Sequence, residues 1–289
     1  MTACDGGDRP AGPAPEETAL PSPTGTPADE DPTDAPPEQV PEIRPGILQG
    51  YLAPADMPDS LGLVPPPPAE GSASLERDHA VSRATIEART DARFELATTD
   101  ADLTFPSAAE RFVCAIGSPI SEEQTPHLYM LLRRTLADAG LSTYGAKNEY
   151  NRARPFMENG VANCTPDEDE ELRHDGSYPS GHTAIGWAWA LLLAELVPER
   201  ANEIFARGLA FGESRIVCNV HWQSDVDQGR LLGAAAVARL HADESFSRAM
   251  QAAKRELAAV ATEGATPPAE ACAAEAAALA APAGDDGTE

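Results

Sequence analysis

Positive charge is scarce in this chain. Its 289 residues carry 21 Lys and Arg against 47 Asp and Glu, a formal net charge of −26. A surface of that sign repels nucleic acid phosphates, which argues against a polynucleotide partner. It repels small phosphate esters at long range as well, so phosphate chemistry here would need the few cations gathered in one pocket. Long apolar runs are missing too. None reaches the roughly 20 residues that cross a bilayer, and the longest, residues 183–197, is interrupted by Glu195 and reads as a buried helix. Five cysteines are too few for a disulfide scaffold. No Cys-x-x-Cys or His-x-x-x-His spacing points to a metal site, and no cofactor is expected. Strand patterns of useful length are absent, so the expected fold is all-α.

Large apolar side chains are nearly lacking from residues 1–45, which are rich in Pro, Asp, Glu, Thr and Ala. Such a segment cannot bury enough surface to offset chain entropy and is expected to be disordered. It opens Met1-Thr-Ala-Cys4, which resembles the end of a lipoprotein signal without its apolar part. Cys4 would then carry a lipid anchor and the tail would be a spacer; an ordinary start with a chance cysteine is the other reading. Residues 46–260 are expected to form one helical-bundle domain, and residues 261–289 an Ala-rich, acidic, disordered tail in which Cys272 has no evident role.

Within the domain the periodicity predicts helices over residues 74–97, 108–116, 121–136, 142–153, 180–197, 198–217, 222–240 and 242–260. Ser121 with Gln124 reads as a capping box, Gly140 as a stop and Pro155 as the end of the 142–153 helix. Residues 156–179 read as a polar loop. Gly229 and Gly233 would permit close helix packing.

Three short stretches carry chemistry. Ser214-Arg215 is followed by His221 and, four residues on, Asp225. One helical turn would let that carboxylate face the imidazole and fix its tautomer. Lys147 and Arg154 are seven apart, two turns of a helix, and would share one face. Arg152 lies between them. Ser180 and Gly181 in Pro179-Ser180-Gly181-His182 sit at a predicted helix start, where free N–H groups and the dipole favour an anion. Gly181, without a side chain, allows close backbone approach. A break near Asn219 would let Arg215 and His221 point into one site. Together these residues can hold a tetrahedral oxyanion with Lys147, Arg154 and Arg215 as charged donors. Each stretch alone has a plain reading as a solvated face or a turn.

Taken along the chain, with residues 147–154 as the first motif, 179–182 as the second and 214–225 as the third, the three stretches resemble the signature of the type 2 phosphatidic acid phosphatase and vanadium haloperoxidase superfamily. Gly176-Ser-Tyr-Pro-Ser-Gly-His-Thr183, residues 221–226 and Leu63-Val-Pro-Pro-Pro-Pro-Ala-Glu-Gly-Ser72 resemble, more narrowly, the bacterial class A non-specific acid phosphatases. The resemblance runs over residues 61–257. It implies a helical, metal-independent acid phosphatase acting on phosphate monoesters of broad class. His221 would be the nucleophile that becomes phosphohistidine, Asp225 its orienting carboxylate, and His182 the general acid and then base. Transfer of the phosphoryl group to another alcohol would be a side activity. The resemblance also implies export to the periplasm, and a homo-oligomer is compatible with it. A vanadium-dependent haloperoxidase, or a surface protein that only binds phosphate, would use the same cradle. Cys164 precedes the second motif and Cys218 lies inside the third; they would form a disulfide if the motifs meet, or remain two buried thiols. The remaining histidines, His79, His127, His174 and His241, read as surface or structural.

Overall fold

The apolar run that looked too short for a membrane is the axis of the fold. In this computed structural model, which describes residues 35–280, it forms helix α9 (Gly181–Leu196). Ala184, Ala188, Trp189, Ala190, Leu192 and Leu193 along it are fully buried. A helix apolar on every side must be covered on every side. Three helices do most of this: α5 (Pro126–Leu141), α10 (Ala201–Val217) and α11 (Gln223–Leu240). Helix α12 (Glu244–Glu263) packs on the outer side of α5. Over residues 36–280 the chain is one compact unit, and among the described residues no helix is long and apolar enough to cross a membrane.

The approach of α11 to α9 depends on the two glycines singled out above. A Cβ at Gly229 would lie 2.5 Å from the Ser180 carbonyl oxygen, and one at Gly233 would collide with the Ala184 carbonyl. This close contact brings the second and third motifs together.

Several boundaries differ from expectation, each for a local reason. The 74–97 helix is two helices, α2 (Ala73–Ala88) and α3 (Asp91–Ala101), because the Thr90 hydroxyl caps a new start by accepting from the Arg93 N–H at 3.2 Å. Ser121 caps only a turn; α5 begins at Pro126, whose missing N–H and fixed φ suit a first helical position, and it runs past Gly140. Two short strands, β1 (Glu42–Arg44) and β2 (Ile47–Leu48), form an antiparallel hairpin that the sequence did not announce. Just beyond it the Tyr51 and Leu52 N–H groups each donate to the Asp138 carboxylate at 2.9 Å, docking this end on α5. Inside the long loop lie α7 (Pro155–Asn159) and α8 (Asp169–His174).

The C-terminal expectation is corrected over part of its length. Residues 269–279 form a helix, α13 (Ala269–Leu279), rather than a disordered tail. Alanine has the highest helix propensity, and two tertiary ties hold the segment: a Cys114–Cys272 disulfide and an Arg207–Glu275 ion pair at 3.0 Å. Cys272 therefore has a role. The expectations for residues 1–34, Cys4 among them, and for residues 281–289 lie outside the described residues.

Candidate active site

The third motif is assembled by a reversal of the chain. Arg215 lies in the last turn of α10, which ends at Val217. Asn219 then takes φ 64°, the left-handed region that Asn tolerates better than most residues, and its amide donates to the Val161 carbonyl at 2.7 Å. The N–H groups of Val220 and His221 both donate to the Arg215 carbonyl, at 3.1 and 3.2 Å. Arg215 and His221 are thereby locked to each other. Asp225 enters from the first turn of α11, where its carboxylate also accepts from the Trp222 N–H at 2.8 Å.

The His221–Asp225 pair meets across a helix start, not along a helical turn as the spacing suggested, since His221 precedes the Trp222 cap. His221 Nδ1 is 3.4 Å from Asp225 Oδ2, within ion-pair range but not aligned as a hydrogen bond. The other ring nitrogen, Nε2, is 3.2 Å from Nη1 of Arg154. A guanidinium can only donate and a carboxylate can only accept. The proton therefore belongs on Nδ1, and Nε2 keeps a lone pair aimed at the cations.

Those cations come from an arrangement the sequence reading had wrong in form. Lys147 is on α6 (Tyr144–Tyr150), which stops at Asn151 with φ 38°. Arg154 is the residue before α7, and Pro155 starts that helix instead of ending the previous one. The two residues do not share a helical face; the turn between them brings both to Asp175. Lys147 Nζ donates to Asp175 Oδ2 at 3.2 Å and to the Gly176 carbonyl at 2.6 Å. Arg154 donates through Nη2 to Asp175 Oδ2 at 2.8 Å, through Nε to the Leu172 and Asp175 carbonyls, and through Nη1 to the Val220 carbonyl at 3.0 Å.

Arg215 differs from both. It is 1% exposed, yet its Nε and Nη1 find no hydrogen-bond partner among the described residues. An unsatisfied buried cation is costly, and a native chain keeps one where something else satisfies it. Burial, with Arg154 close by, pushes the Arg215 guanidinium down to about 10. Burial and Arg154 push the Lys147 ammonium down to about 8, against the opposing pull of Asp175. His221 is held well below the usual imidazole range, by burial first and then by Arg154, Lys147 and Arg215.

In the second motif, Ser180 caps α9: its Oγ accepts from the Thr183 N–H at 3.3 Å and the Thr183 hydroxyl at 2.9 Å. The Ser180 N–H is engaged by the Asp225 carbonyl at 3.0 Å, so it is not the free anion donor expected. Ser180 instead ties the second motif to the third. The N–H groups of Gly181 and His182, in the first helical turn, have no intrahelical acceptor. A Cβ at Gly181 would meet only Thr143 Oγ1 at an ordinary 3.5 Å, so no protein neighbour demands glycine there. His182 is half-buried, and its Nε2 lies 2.9 Å from the Ala101 carbonyl oxygen. That acceptor puts hydrogen on Nε2 and leaves Nδ1 for proton exchange. Burial, Arg215, His221 and Arg154 hold this imidazole also well below its usual range.

Three side chains at the site had no assigned role in the sequence. Arg152 spans two buried carboxylates, reaching Asp225 Oδ1 at 2.7 Å and Asp78 Oδ2 at 2.8 Å. Asp78 in turn accepts from the Ser224 N–H at 2.8 Å. Asp175 bridges two cradle cations. Burial raises the Asp225 carboxyl, and Arg152 is the largest of the influences opposing that rise. The density of basic residues around Arg152 was a visible signal; nothing local marked Asp78 or Asp175. Cys164 and Cys218 form a disulfide, resolving the two readings left open. His174 is exposed beside Glu170, and His241 pairs with Glu195. Tyr178 and Trp222 are buried and donate to the Pro65 and Ala153 carbonyls, as core residues would. Among the described residues no group of three or more His, Cys, Asp and Glu is arranged to hold a metal ion.

Comparison with known proteins shows the family. Residues 128–248 match the family described as the PAP2 superfamily. A non-specific acid phosphatase of Providencia stuartii is 45% identical over 209 residues, covering 72% of this chain and 84% of that protein. An acid phosphatase of Zymomonas mobilis is 42% identical over 72% of this chain and 79% of its own length. A non-specific acid phosphatase of Salmonella typhimurium is 36% identical, covering 73% and 84%.

Proposed function

The chain belongs to the PAP2 superfamily and is an acid phosphatase acting on phosphate monoesters, and from that premise we propose that it works through a phosphohistidine on His221 without needing a metal ion. The observation that carries the mechanism is the buried Arg215 guanidinium, lacking hydrogen-bond partners at Nε and Nη1, in the same cluster as an imidazole whose Nε2 lone pair faces Arg154. The charge stabilisation that a metal would give a phosphoryl group can come here from Lys147, Arg154 and Arg215.

His221 Nε2 attacks phosphorus as the bond from phosphorus to the ester oxygen breaks. The proton on Nδ1 stays there, and Asp225 offsets the positive charge that the ring acquires. The leaving oxygen takes a proton from His182. Water then attacks the phosphohistidine, His182 receives the water proton, and the P–N bond breaks to give inorganic phosphate and free His221. An alcohol in place of that water would give phosphoryl transfer.

Both imidazoles are held neutral in the free site, so the proton for the leaving group must arrive with the substrate. A phosphate monoester loses its second proton near pH ~6. Below that it brings the proton itself, and its negative charge offsets Arg215 and lets His182 hold it. Every residue assigned to the cradle would address the phosphoryl group and none the remainder of the ester, which supports broad specificity there. Export to the periplasm is part of the same proposal: the Cys114–Cys272 and Cys164–Cys218 disulfides suit an oxidising compartment.

Acid-quenched trapping with labelled substrate tests the roles. Wild type should give an acid-labile phosphoenzyme, His221→Ala none, and His182→Ala should still be phosphorylated by an ester with a good leaving group. A phosphoenzyme in His221→Ala would overturn the assignment.

A further inference from the structure

The catalytic scheme makes no use of Asp175, although its carboxylate touches two of the three cradle cations. Its Oδ2 accepts from Lys147 Nζ at 3.2 Å and from Arg154 Nη2 at 2.8 Å. The side chain of Asp175 is 34% exposed, while those of Lys147 and Arg154 are 5% and 2% exposed. The carboxylate therefore reaches in from the solvent side and covers buried cations. It stands on extended backbone just after α8, outside any regular element.

The carboxylate is not the only tie on the cations. Backbone carbonyls of Leu172, Asp175 and Val220 hold the Arg154 guanidinium, and the Gly176 carbonyl holds the Lys147 ammonium. What the carboxylate adds is charge. It offers the same chemistry as a phosphoryl oxygen, an anionic acceptor for the same N–H donors, and the two cannot both use those donors fully. Arg215, by contrast, keeps donors that the protein leaves unfilled.

We propose that the Asp175 carboxylate is an internal competitor for the phosphoryl group, holding Lys147 and Arg154 in the free enzyme, yielding to substrate and returning as inorganic phosphate leaves. The consequence is weaker product inhibition than three uncovered cations would give. The inference rests on the assignment of Lys147 and Arg154 as phosphoryl binders. It also gives Asp175 a sign opposite to that of a structural tie: removing a tie loosens the cations and weakens phosphate binding, whereas removing a competitor strengthens it.

The test is Asp175→Asn, with Asp175→Ser as a second variant, assayed with p-nitrophenyl phosphate and with inorganic phosphate as inhibitor. A charge removed this close to two buried cations should lower the phosphate inhibition constant roughly tenfold or more. KM should fall with it, and kcat should drop as release slows. An inhibition constant unchanged or raised in both variants overturns the proposal. So does failure of both to fold, since the carboxylate would then be a structural tie. Lys147→Ala and Arg154→Ala, run in the same phosphate-inhibition assay, separate the two levels. If neither weakens phosphate binding, the assignment beneath the inference fails; if they do and the Asp175 variants bind phosphate no tighter, only this inference fails.

Discussion

Replacing Arg215 by methionine should make the protein more stable and nearly inactive. The guanidinium is 1% exposed, and its Nε and Nη1 lack hydrogen-bond partners among the described residues. Burial is the main cause that pushes its pKa down to about 10, from an ordinary value above ~12. A fall of about two and a half, at about 1.36 kcal/mol each, is a cost of about 3 kcal/mol for holding the charged form in the fold. The folded state depresses the pKa of a base, so the cost is fully present below about pH 10 and fades above it. At pH 7 it is carried in full. Methionine fills a similar volume without a charge, and imperfect packing would offset about 1 kcal/mol of the relief. A net gain of about 2 kcal/mol is expected, which for a domain of this size raises Tm by about 4–8 °C. Loss of one such oxyanion donor should cost on the order of a hundredfold or more in kcat. The assay is a thermal melt at pH 7 with and without inorganic phosphate, beside turnover. Phosphate should raise the Tm of wild type clearly and that of Arg215→Met far less. If the variant melts well below wild type, and phosphate stabilises both equally, Arg215 is a structural cation and the reasoning is wrong.

Two further outcomes follow from the neighbouring charges. Lys147 loses its proton as pH rises through about 8, so kcat/KM, already falling above the substrate's second ionisation near pH ~6, should fall more steeply on a second alkaline limb near that pH. Lys147→Arg, which stays charged, should move the limb upward by at least one pH unit; an unmoved limb would mean that another group sets it. Arg152→Met should lower kcat roughly tenfold to a hundredfold with a small change in phosphate affinity, because Arg152 acts through Asp225 and not on the phosphoryl group. The variant should also shift the pH profile of kcat, and Arg152→Lys should recover part of the loss; equal changes in kcat and phosphate binding would place Arg152 in the cradle instead.

What was legible in the sequence depended on whether its cause was local. Helix existence was local: the apolar character of residues 183–197 required a covered helix, and Gly229 and Gly233 marked where α11 approaches it. The break at Asn219 was legible because Arg215 and His221 could not otherwise face one point. The chain between Lys147 and Arg154 was misread, since helical periodicity continues through a segment that Asn151 interrupts with a left-handed turn. Asp78 and Asp175 were invisible for another reason. Each is one of many acidic residues, and only tertiary contact with Arg152, or with Lys147 and Arg154, distinguishes it. The helix at Ala269–Leu279 was missed because it has few large apolar side chains of its own and is tied down by Cys114, far away in sequence.

The acidic composition and the cationic site are parts of one electrostatic arrangement. Lys147, Arg154 and Arg215 are all within the interior, where their field is screened far less than at the surface. In the proposed scheme that field binds a phosphoryl group, and, after burial itself, it also disfavours protonation of His221. A nucleophile that must stay unprotonated in acid needs such a field, since an ordinary imidazole would be mostly charged below pH ~6.5. The same field disfavours a proton on His182, which the leaving group requires. Substrate resolves the conflict in the proposed scheme. Its negative charge offsets the cations once bound, and below its second ionisation it carries the missing proton. Acid operation then follows from the buried cations themselves. The acidic surface does not oppose it, because its repulsion is screened beyond about 8–10 Å at physiological salt while the pocket acts at contact.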